Sequence, residues 1–357
     1  MPHLLVDISP HGYGHVSQTS AVVNELVQLM PELRITVRTT APREFLQTRF
    51  QCEFAHLPVA FDFGMKMANA VDVEVEESAA AYREFHADWQ QKVEREAQVM
   101  HALKPDLLLA NIPYLSLAAA HRAGIRSVGL CCLNWADIYR HYCPGDADKL
   151  PIHRQMIEAY NSAEYFLKVQ PAMEMSDLNN TREIAPIARI GRALRCHIAA
   201  NSSQTEGEKL VLVAMGGMAF QLPMQHWPYL PGIRWLVPEA WNIQRTDVTT
   251  IESLKLPFTD VLASCDAVIT KPGYGTFAEA ACNEVPVLYL SRHDWPEEPY
   301  LVNWLKQNTA CLEVERSVLQ SGEIGELLAT LMQIPKPARP VASGALEAAR
   351  YLQTLLA

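Results

Sequence analysis

The chain has 357 residues, 49% of them hydrophobic, so it can bury a large core. At roughly 150 residues per domain, this length predicts two domains. The formal net charge of −10 argues against nucleic acid or an anionic membrane as the main ligand, because the summed field of the protein repels both.

Cysteine usage and the distribution of apolar residues predict a cytoplasmic protein. Eight cysteines occur without a C-x-x-C pair, and Cys131 and Cys132 are adjacent within an apolar run, which indicates buried thiols in a reducing compartment. The chain enters an apolar run at 4–8 without a basic flank, and no apolar stretch approaches the roughly 20 residues of a membrane helix. We expect no transmembrane segment, no metal site and no cofactor.

The start of the chain alternates strand and helix patterns around a glycine loop, P-H-G-Y-G-H at 10–15. This order predicts the opening of a Rossmann-like half. A nicotinamide site is not expected, because the glycines match only part of G-x-G-x-x-G and no acidic residue ends the second strand. The predicted elements are a strand at 4–9, a helix at 16–30, a strand at 34–39, a helix at 42–50 and a strand at 52–58.

The segment 62–77 is irregular and acidic, which predicts a solvated loop, with a metal cluster as the alternative. Residues 78–103 predict one long helix whose aromatic stripe packs into the core. A strand at 105–111, a helix at 114–123 and a strand at 126–132 then repeat the alternation that a parallel sheet requires. Asn111 lies just past the C-terminal end of a strand, where ligands bind in open α/β sheets.

The alternation restarts in the second half, after a candidate linker that contains Pro186 and Gly191. An amphipathic pattern at 344–356 predicts a final helix. The predicted organisation is an N-terminal Rossmann-like domain at 1–183, a linker at 184–197, a C-terminal Rossmann-like domain at 198–340 and a crossing helix at 341–357 that packs on the first domain.

Glycine loops follow two predicted strands of the second half. The strand at 209–215 ends in Gly216 and Gly217, and the strand at 267–270 is followed by P-G-Y-G-T at 272–276. Thr276 is expected to cap a helix at 277–282, with Glu279 completing a capping box. Such a loop directs backbone N–H groups and a positive helix end at an anion, and phosphate is the natural occupant. In the alternative, the glycines only form a turn and Glu279 only caps its helix.

Together these loops resemble those of the two-domain glycosyltransferases with the GT-B fold. The chain is most similar to the N-terminal half of L-arabinokinases, through the sequences H-G-Y-G-H at 11–15, A-G-I-R-S-V at 123–128, N-W-A-D-I-Y at 134–139 and R-H-D-W-P-E-E-P-Y-L-V-N-W-L at 292–305. The resemblance implies an α/β chain with two facing Rossmann-like domains and a C-terminal helix crossing back to the first. Kinase activity is not expected, because no kinase phosphate loop follows these motifs.

The resemblance also implies a nucleotide-sugar site, with UDP as the expected nucleotide. In that family a glutamate binds the ribose hydroxyls, a role that falls here to Glu279, and the donor sugar contacts correspond to the acidic residues from Asp294 to Glu298. The alternative for the acidic residues from Asp294 to Glu298 is that they are solvated charges of a loop. The alternative for Lys271 is that it is an ordinary surface lysine. The implied nucleotide-sugar contacts are Gly12, Gly14, Gly216, Gly217, Lys271, Gly273, Tyr274, Gly275, Thr276, Glu279, Asp294, Glu297 and Glu298.

His15 matches the general base of inverting members of this family. Its alternatives are a helix cap or a phosphate contact. Asn111 stands where such enzymes often carry an aspartate that orients the base, and an amide can hold the ring but cannot stabilise imidazolium as a carboxylate does.

The expected activity is metal-independent, inverting transfer of a sugar from a nucleotide sugar to a hydroxyl of an unidentified small molecule or glycan. Two alternatives stay open, a non-catalytic nucleotide-sugar-binding module and a nucleotide-sugar 2-epimerase. Conversion of the donor only when an acceptor is present would favour transfer.

Overall fold

The computed structural model describes residues 1–68, 72–147, 151–202, 207–216, 221–291 and 294–357. The chain divides into two compact units. The first comprises Met1–Ile187 and Ser343–Ala357, and the second comprises Ala188–Ala342. Among the described helices, none is long and apolar enough to cross a membrane.

The first unit is built on a parallel sheet of seven strands in the order β3-β2-β1-β4-β5-β6-β7. The central strands are buried along their whole length, as expected when helices cover both faces of a parallel sheet. The strands are β1 (His3–Ile8), β2 (Arg34–Arg38), β3 (Ala55–Leu57), β4 (Leu107–Asn111), β5 (Ser127–Cys131), β6 (Tyr165–Val169) and β7 (Thr181–Ile184).

Helices follow most of these strands, so the chain repeats the strand–helix unit that the sequence predicts. They are α1 (Tyr13–Leu29), α2 (Arg43–Arg49), α3 (Val75–His86), α4 (Trp89–Leu103), α5 (Tyr114–Ala123), α6 (Trp135–Tyr142), α7 (Pro144–Ala147) and α8 (Ile152–Asn161).

The single long helix predicted at 78–103 is wrong, because the chain breaks between α3 and α4. Asp88 sits at the break, as the residue before α4, and aspartate favours such positions over a helix interior. Lys92 Nζ donates to the Phe85 carbonyl at 2.8 Å and to Asp88 Oδ1. The helix period continues through the break, so the apolar pattern alone did not reveal it.

A buried charge cluster fixes α4 and the start of the acidic segment to the sheet. Arg38 is 1% exposed and donates through Nε and Nη2 to the two carboxylate oxygens of Asp7, at 2.7 and 2.6 Å. Its Nη1 donates to Glu96 of α4, and its guanidinium lies 4.2 Å from the centre of the Phe61 ring. Residues immediately before Asp62 are therefore held against the core.

The second unit has a parallel sheet of six strands in the order β10-β9-β8-β11-β12-β13. Its strands are β8 (Lys209–Ala214), β9 (Ile233–Val237), β10 (Val248–Thr250), β11 (Ala267–Thr270), β12 (Val287–Leu290) and β13 (Cys311–Val314). Its α-helices are α9 (Arg195–Asn201), α10 (Phe258–Ala263), α11 (Tyr274–Cys282), α12 (Glu298–Asn308), α13 (Arg316–Ser321) and α14 (Gly325–Leu331), and short 3₁₀ turns occur at Met224–His226, Glu239–Trp241 and Glu252–Leu254.

Both sheets share one strand order, 3-2-1-4-5-6 when the strands of each unit are numbered from its first, with a seventh added in the first unit. In such sheets the order reverses between the first and fourth strands, and ligands bind beyond the carboxyl ends of the strands at this switch point. The switch points lie between β1 and β4 and between β8 and β11. Ile8 is in register with Asn111 at the first, and Ala214 with Thr270 at the second.

The final helix, α15 (Gly344–Leu356), belongs to the first unit and packs against α1. The Ala185 N–H donates to Glu347 Oε2 at 3.1 Å, and the Gly344 N–H donates to the Pro186 carbonyl at 3.2 Å. A Cβ on Gly344 would lie 1.9 Å from the Ala185 carbonyl oxygen, so only glycine permits this close approach.

Candidate active site

The loop between β1 and α1 brings His15 to the first switch point. Gly12 has φ +125°, which a side chain would strain, and from there the chain enters α1 with His15 in its first turn. Within the described ranges, a Cβ on Gly12 or Gly14 would meet nothing within 4 Å, so no described residue covers this side of the loop. Both glycines remain predicted nucleotide-sugar contacts.

The structure brings His15 and Asn111 together. The half-buried His15 ring has Nδ1 2.9 Å from Asn111 Oδ1. An amide oxygen only accepts, so Nδ1 carries the hydrogen and Nε2 presents the lone pair in the neutral ring. Asn111 is fully buried, and its Nδ2 donates to Gln18 Oε1 at 3.2 Å. The amide is thereby oriented with its oxygen toward His15.

Two cysteines complete the surroundings of His15, and their part in the site was not predicted from the sequence. Cys131 ends β5, and its Sγ lies 3.8 Å from His15 Nδ1 and 4.0 Å from Cys132 Sγ. Gln18 Nε2 donates to Cys132 Sγ at 3.4 Å. The signal that could have found them is topological, because β5 pairs in parallel with β4 and neighbouring strand ends meet at one edge.

His15 and Cys131 each change the pKa of the other. Burial alone would lower the pKa of His15, but the hydrogen bond and charge interaction with Cys131 raise it well above its ordinary value. Burial alone would raise the pKa of Cys131, but hydrogen bonds from Cys132 and His15 and the charge of His15 lower it. A thiolate beside an imidazolium is the state that these shifts favour.

Asp62 is a buried carboxylate at the same end of the sheet, so the predicted solvated loop at 62–77 is wrong for its first residue. It is 6% exposed, and it accepts from Ser9 Oγ at 2.7 Å and from Trp135 Nε1 at 2.8 Å. Burial raises the pKa of Asp62 to about 6, against the opposing effects of these hydrogen bonds and of His15. The Trp135 ring lies 6.0 Å from the ring of His15 and 4.9 Å from that of His11.

The acidic residues later in that segment are exposed, as a solvated loop requires. Glu76 and Glu77 lie in the first turn of α3, where carboxylates interact favourably with the helix dipole. The exposed acidic residues of the segment are Asp72, Glu74, Glu76 and Glu77.

In the second unit, Gly216 and Lys271 meet at the switch point between β8 and β11. Thr270 Oγ1 donates to the Ala214 carbonyl at 2.6 Å and ties the two strand ends together. Gly216 has φ +87°, and a Cβ on it would lie 3.2 Å from Lys271 Cε and 3.9 Å from Nζ. The half-buried Lys271 side chain therefore lies across Gly216. Gly217, the other predicted glycine of this loop, is outside the described residues.

The predicted capping box at Thr276 is wrong. Helix α11 begins at Tyr274, after Gly273, so Thr276 is already the third helical residue, and no side chain caps the Gly273 position. First-turn N–H groups of a helix have no partner within the helix, and this end also carries the positive pole of the dipole. A Cβ on Gly275 would meet no described residue within 4 Å, so the first turn is open on this side among those residues.

Glu279 is half-buried in α11, and its contact with ribose stays a prediction. Tyr274, the first residue of α11, is 7% exposed, and its contact with the nucleotide sugar also stays a prediction.

The acidic residues expected at the donor sugar differ in their surroundings. Glu297 and Glu298 are each 6% exposed, Trp295 Nε1 donates to Glu297 Oε2 at 3.0 Å, and Ser291 Oγ donates to Glu298 Oε1 at 2.5 Å. The alternative of solvated loop charge is therefore wrong for both. Asp294 is exposed, and the preceding His293 lies outside the described residues.

Comparison with known proteins supports the fold. No protein-family model matches the chain. L-arabinokinase from Arabidopsis thaliana is 24% identical over 339 residues, which cover 88% of this chain and 31% of that protein, so the chain spans about a third of this relative. The similarity seen in the sequence motifs is thereby confirmed.

Two solved structures show the architecture that the chain shares. The calicheamicin glycosyltransferase CalG4 matches 100% of this chain and 94% of its own, with a TM-score of 0.64 and 16% identity. UGT89C1 from Arabidopsis thaliana, solved in complex with UDP, matches 98% of this chain and 94% of its own, with a TM-score of 0.59 and 14% identity. The chain has the GT-B glycosyltransferase fold, and the predicted fold class is confirmed.

Proposed function

We propose that this protein is an inverting, metal-independent glycosyltransferase that transfers a sugar from a UDP-sugar to an acceptor hydroxyl. The observation that carries the proposal is the hydrogen bond between His15 Nδ1 and Asn111 Oδ1 at the first switch point. It orients an imidazole at the sheet edge where GT-B-type sheets bind ligands, with Nε2 directed to accept a proton.

The reaction is a single displacement at the anomeric carbon. The acceptor oxygen forms a bond to that carbon as the bond to the diphosphate oxygen breaks, and His15 Nε2 takes the hydroxyl proton. Asn111 keeps the ring in the tautomer that has Nε2 free for this step. A general base of this kind contributes typically 10²–10⁴-fold to rate.

We assign the donor to the second unit because of the positively charged groups at its switch point. The leaving diphosphate carries negative charge, and the first turn of α11 together with Lys271 offers a positive helix end, backbone N–H groups and an ammonium. Glu279 is proposed to accept from the ribose hydroxyls. These groups make a divalent cation unnecessary for charge neutralisation, so we expect turnover to persist in EDTA.

UDP is chosen as the nucleotide because a structure of the same fold, UGT89C1, was solved with UDP. The same protein was solved with quercetin, a polyphenol, at a TM-score of 0.59. For this chain the acceptor class is a small molecule or glycan that presents a free hydroxyl.

One observation favours a second function, nucleotide-sugar binding without catalysis. Asn111 carries no charge and cannot itself stabilise the imidazolium that forms when His15 takes a proton. A binding module would hold the donor and leave it intact whatever acceptor is added.

The test measures binding and turnover in two variants. A thermal-shift screen of nucleotides and nucleotide sugars selects the donor, since a ligand at 100 times its dissociation constant stabilises by about 2.7 kcal/mol. His15→Ala should then lower turnover about 10²–10⁴-fold with donor affinity unchanged. Glu279→Ala should weaken UDP binding by about 1.5–3 kcal/mol, the worth of a charge-assisted hydrogen bond.

The exposed His121 provides the matched control, because His121→Ala makes the same change in the same unit. It should alter neither quantity. If His15→Ala abolishes donor binding rather than rate, His15 is a phosphate contact and the binding-module function is favoured. If Glu279→Ala lowers only the melting temperature, the assignment of the ribose contact is wrong.

A further inference from the structure

The side chains around His15 form a chain of hydrogen bonds that runs from His15 to Cys132. His15 Nδ1 donates to Asn111 Oδ1, Asn111 Nδ2 to Gln18 Oε1, and Gln18 Nε2 to Cys132 Sγ, at 2.9, 3.2 and 3.4 Å. Cys132 Sγ in turn lies 4.0 Å from Cys131 Sγ.

Cys131 lies beside both ends of this chain. Its Sγ is 0% exposed and lies 3.8 Å from His15 Nδ1 and 4.0 Å from Cys132 Sγ. A buried thiol this close to an imidazole can pass its proton to the ring, which leaves a thiolate and an imidazolium in contact. Cys131 can therefore carry a negative charge next to His15, which the amide of Asn111 cannot.

We propose that Cys131 is a positioning residue whose thiolate pairs with the imidazolium of His15 and supplies the negative charge that Asn111 lacks. The inference rests on the proposed function for what His15 does. In the pair, the thiol proton of Cys131 has moved to the imidazole, so that the S–H bond is broken and an N–H bond is formed. Before His15 acts as a base, the imidazolium releases its Nε2 proton to solvent. When the neutral ring then takes the proton of an acceptor hydroxyl, the thiolate stabilises the imidazolium that forms.

The other titratable groups around His15 do not reverse this assignment. Asp62 adds a second negative charge in the same surroundings, and it favours imidazolium over the neutral ring. The rings of His11 and His15 both contact the Trp135 indole, with ring centres 4.9 and 6.0 Å from it. Tyr82 and Tyr160 stay neutral, because burial raises the pKa of each phenol well above its ordinary value.

The pairing has a consequence for pH dependence. His15 is a base only when it is deprotonated, and a neighbouring anion raises its pKa, so turnover should increase with pH into the alkaline range. Removing the anion lowers that pKa, because burial without compensation disfavours the charged ring. Turnover should then reach its plateau at lower pH.

The experiment records thiolate absorbance near 240 nm against pH in the full-length protein. Wild type should show a thiolate that titrates well below the ordinary thiol range, and Cys131→Ser should lose it. In His15→Ala the same absorbance should appear only at alkaline pH, which tests the pair without altering the cysteine. Cys265→Ser is the matched control, because this buried thiol donates to the Val261 carbonyl and burial raises its pKa.

A second readout is the pH–rate profile. Cys131→Ser should move the acid limb of turnover to lower pH by about one to three pH units, the effect of losing one nearby opposite charge, whereas Cys265→Ser should leave it in place. A merely structural role for Cys131 would lower the rate at all pH values without moving the limb, and would overturn the proposal.

The two proposals fail in different ways. Turnover without a thiolate below pH 8 in wild type overturns the role of Cys131 and leaves the transferase proposal standing. A thiolate that depends on His15, in a protein that converts no nucleotide sugar, supports the pair and removes the proposed reaction.

Discussion

At the scale of single residues, the site is explained by which groups can donate a hydrogen bond and which can carry a charge. Asn111 orients His15 and Gln18 at once because an amide has both an acceptor and a donor. A carboxylate at this position could accept from His15 but could not donate to Gln18. The uncharged Asn111 therefore serves the chain of hydrogen bonds from His15 to Cys132, and the negative charge is assigned to Cys131.

Because Asn111 supplies hydrogen bonds and Cys131 supplies the charge, the effect of an aspartate at position 111 on turnover should depend on whether Cys131 is present. Asn111→Asp should increase turnover more in a Cys131→Ser background than in wild type, because only that background lacks the thiolate beside His15. The measurement is kcat across pH for the two single variants and the double variant. Coupling between neighbouring residues is expected in such a cycle. Equal effects in the two backgrounds would contradict it and show that the thiol and the carboxylate do not share a role.

At the scale of elements, the two glycine loops place chemistry at the ends of parallel strands. In the second unit, the left-handed backbone of Gly216 lets the chain pass beneath Lys271, and the early start of α11 leaves its first turn open. A residue larger than glycine at 216 would combine backbone strain with contact to the lysine stem.

Gly216→Ala tests that arrangement against a control with the same backbone. Gly207 also has φ +87°, but a Cβ on it meets none of the described residues within 4 Å, whereas at Gly216 it lies 3.2 Å from Lys271 Cε. Both substitutions should cost about 1–2 kcal/mol of stability from the left-handed conformation. Only Gly216→Ala should also weaken UDP binding, by displacing Lys271. Calorimetry and thermal unfolding of both variants give the comparison, and equal UDP affinity would argue against a lysine contact.

The elements also show what sequence patterns could and could not predict. Strands such as β1 and β4 were predictable because parallel strands buried on both faces form short continuous apolar runs. The boundary between α3 and α4 and the start of α11 were not, since each depends on a local backbone choice that leaves the apolar period unchanged. The same holds for the candidate site. His15 and Asn111 follow strands in a readable motif, whereas Asp62 was hidden among exposed acids and Cys131 within an apolar run.

At the scale of the whole molecule, the chain forms two units and then returns to the first. Each sheet reverses its strand order once, and the proposed base and the proposed donor contacts lie at different reversals. The last helix does not belong to the unit that precedes it in sequence, because α15 packs on α1, the helix that carries His15. Sequence-distant residues at the C-terminus thus support the base.

Gly344→Ala tests whether the position of His15 depends on the packing of α15 against α1. The added Cβ would lie 1.9 Å from the Ala185 carbonyl oxygen, which is backbone and cannot yield as a flexible side chain does, so α15 must shift where it docks. Overpacking of this kind costs typically 1–3 kcal/mol. We expect a lower melting temperature and reduced turnover with UDP affinity nearly unchanged, because Lys271, Glu279 and the first turn of α11, which are proposed to hold UDP, belong to the second unit.

Gly145→Ala is the control for this substitution, since it lies in α7 of the same unit and, in the part of the chain that the structure describes, a Cβ there meets nothing within 4 Å. It should change none of the three quantities. The thiolate absorbance of Cys131 gives a direct reading of the site, because a shifted α1 moves His15 relative to Cys131 and should raise the pH at which the thiolate appears. If Gly344→Ala lowers stability but leaves that absorbance and turnover intact, α15 stabilises the first unit without supporting the base. If UDP affinity falls as well, residues of the first unit, such as the predicted contacts Gly12 and Gly14, contribute to donor binding.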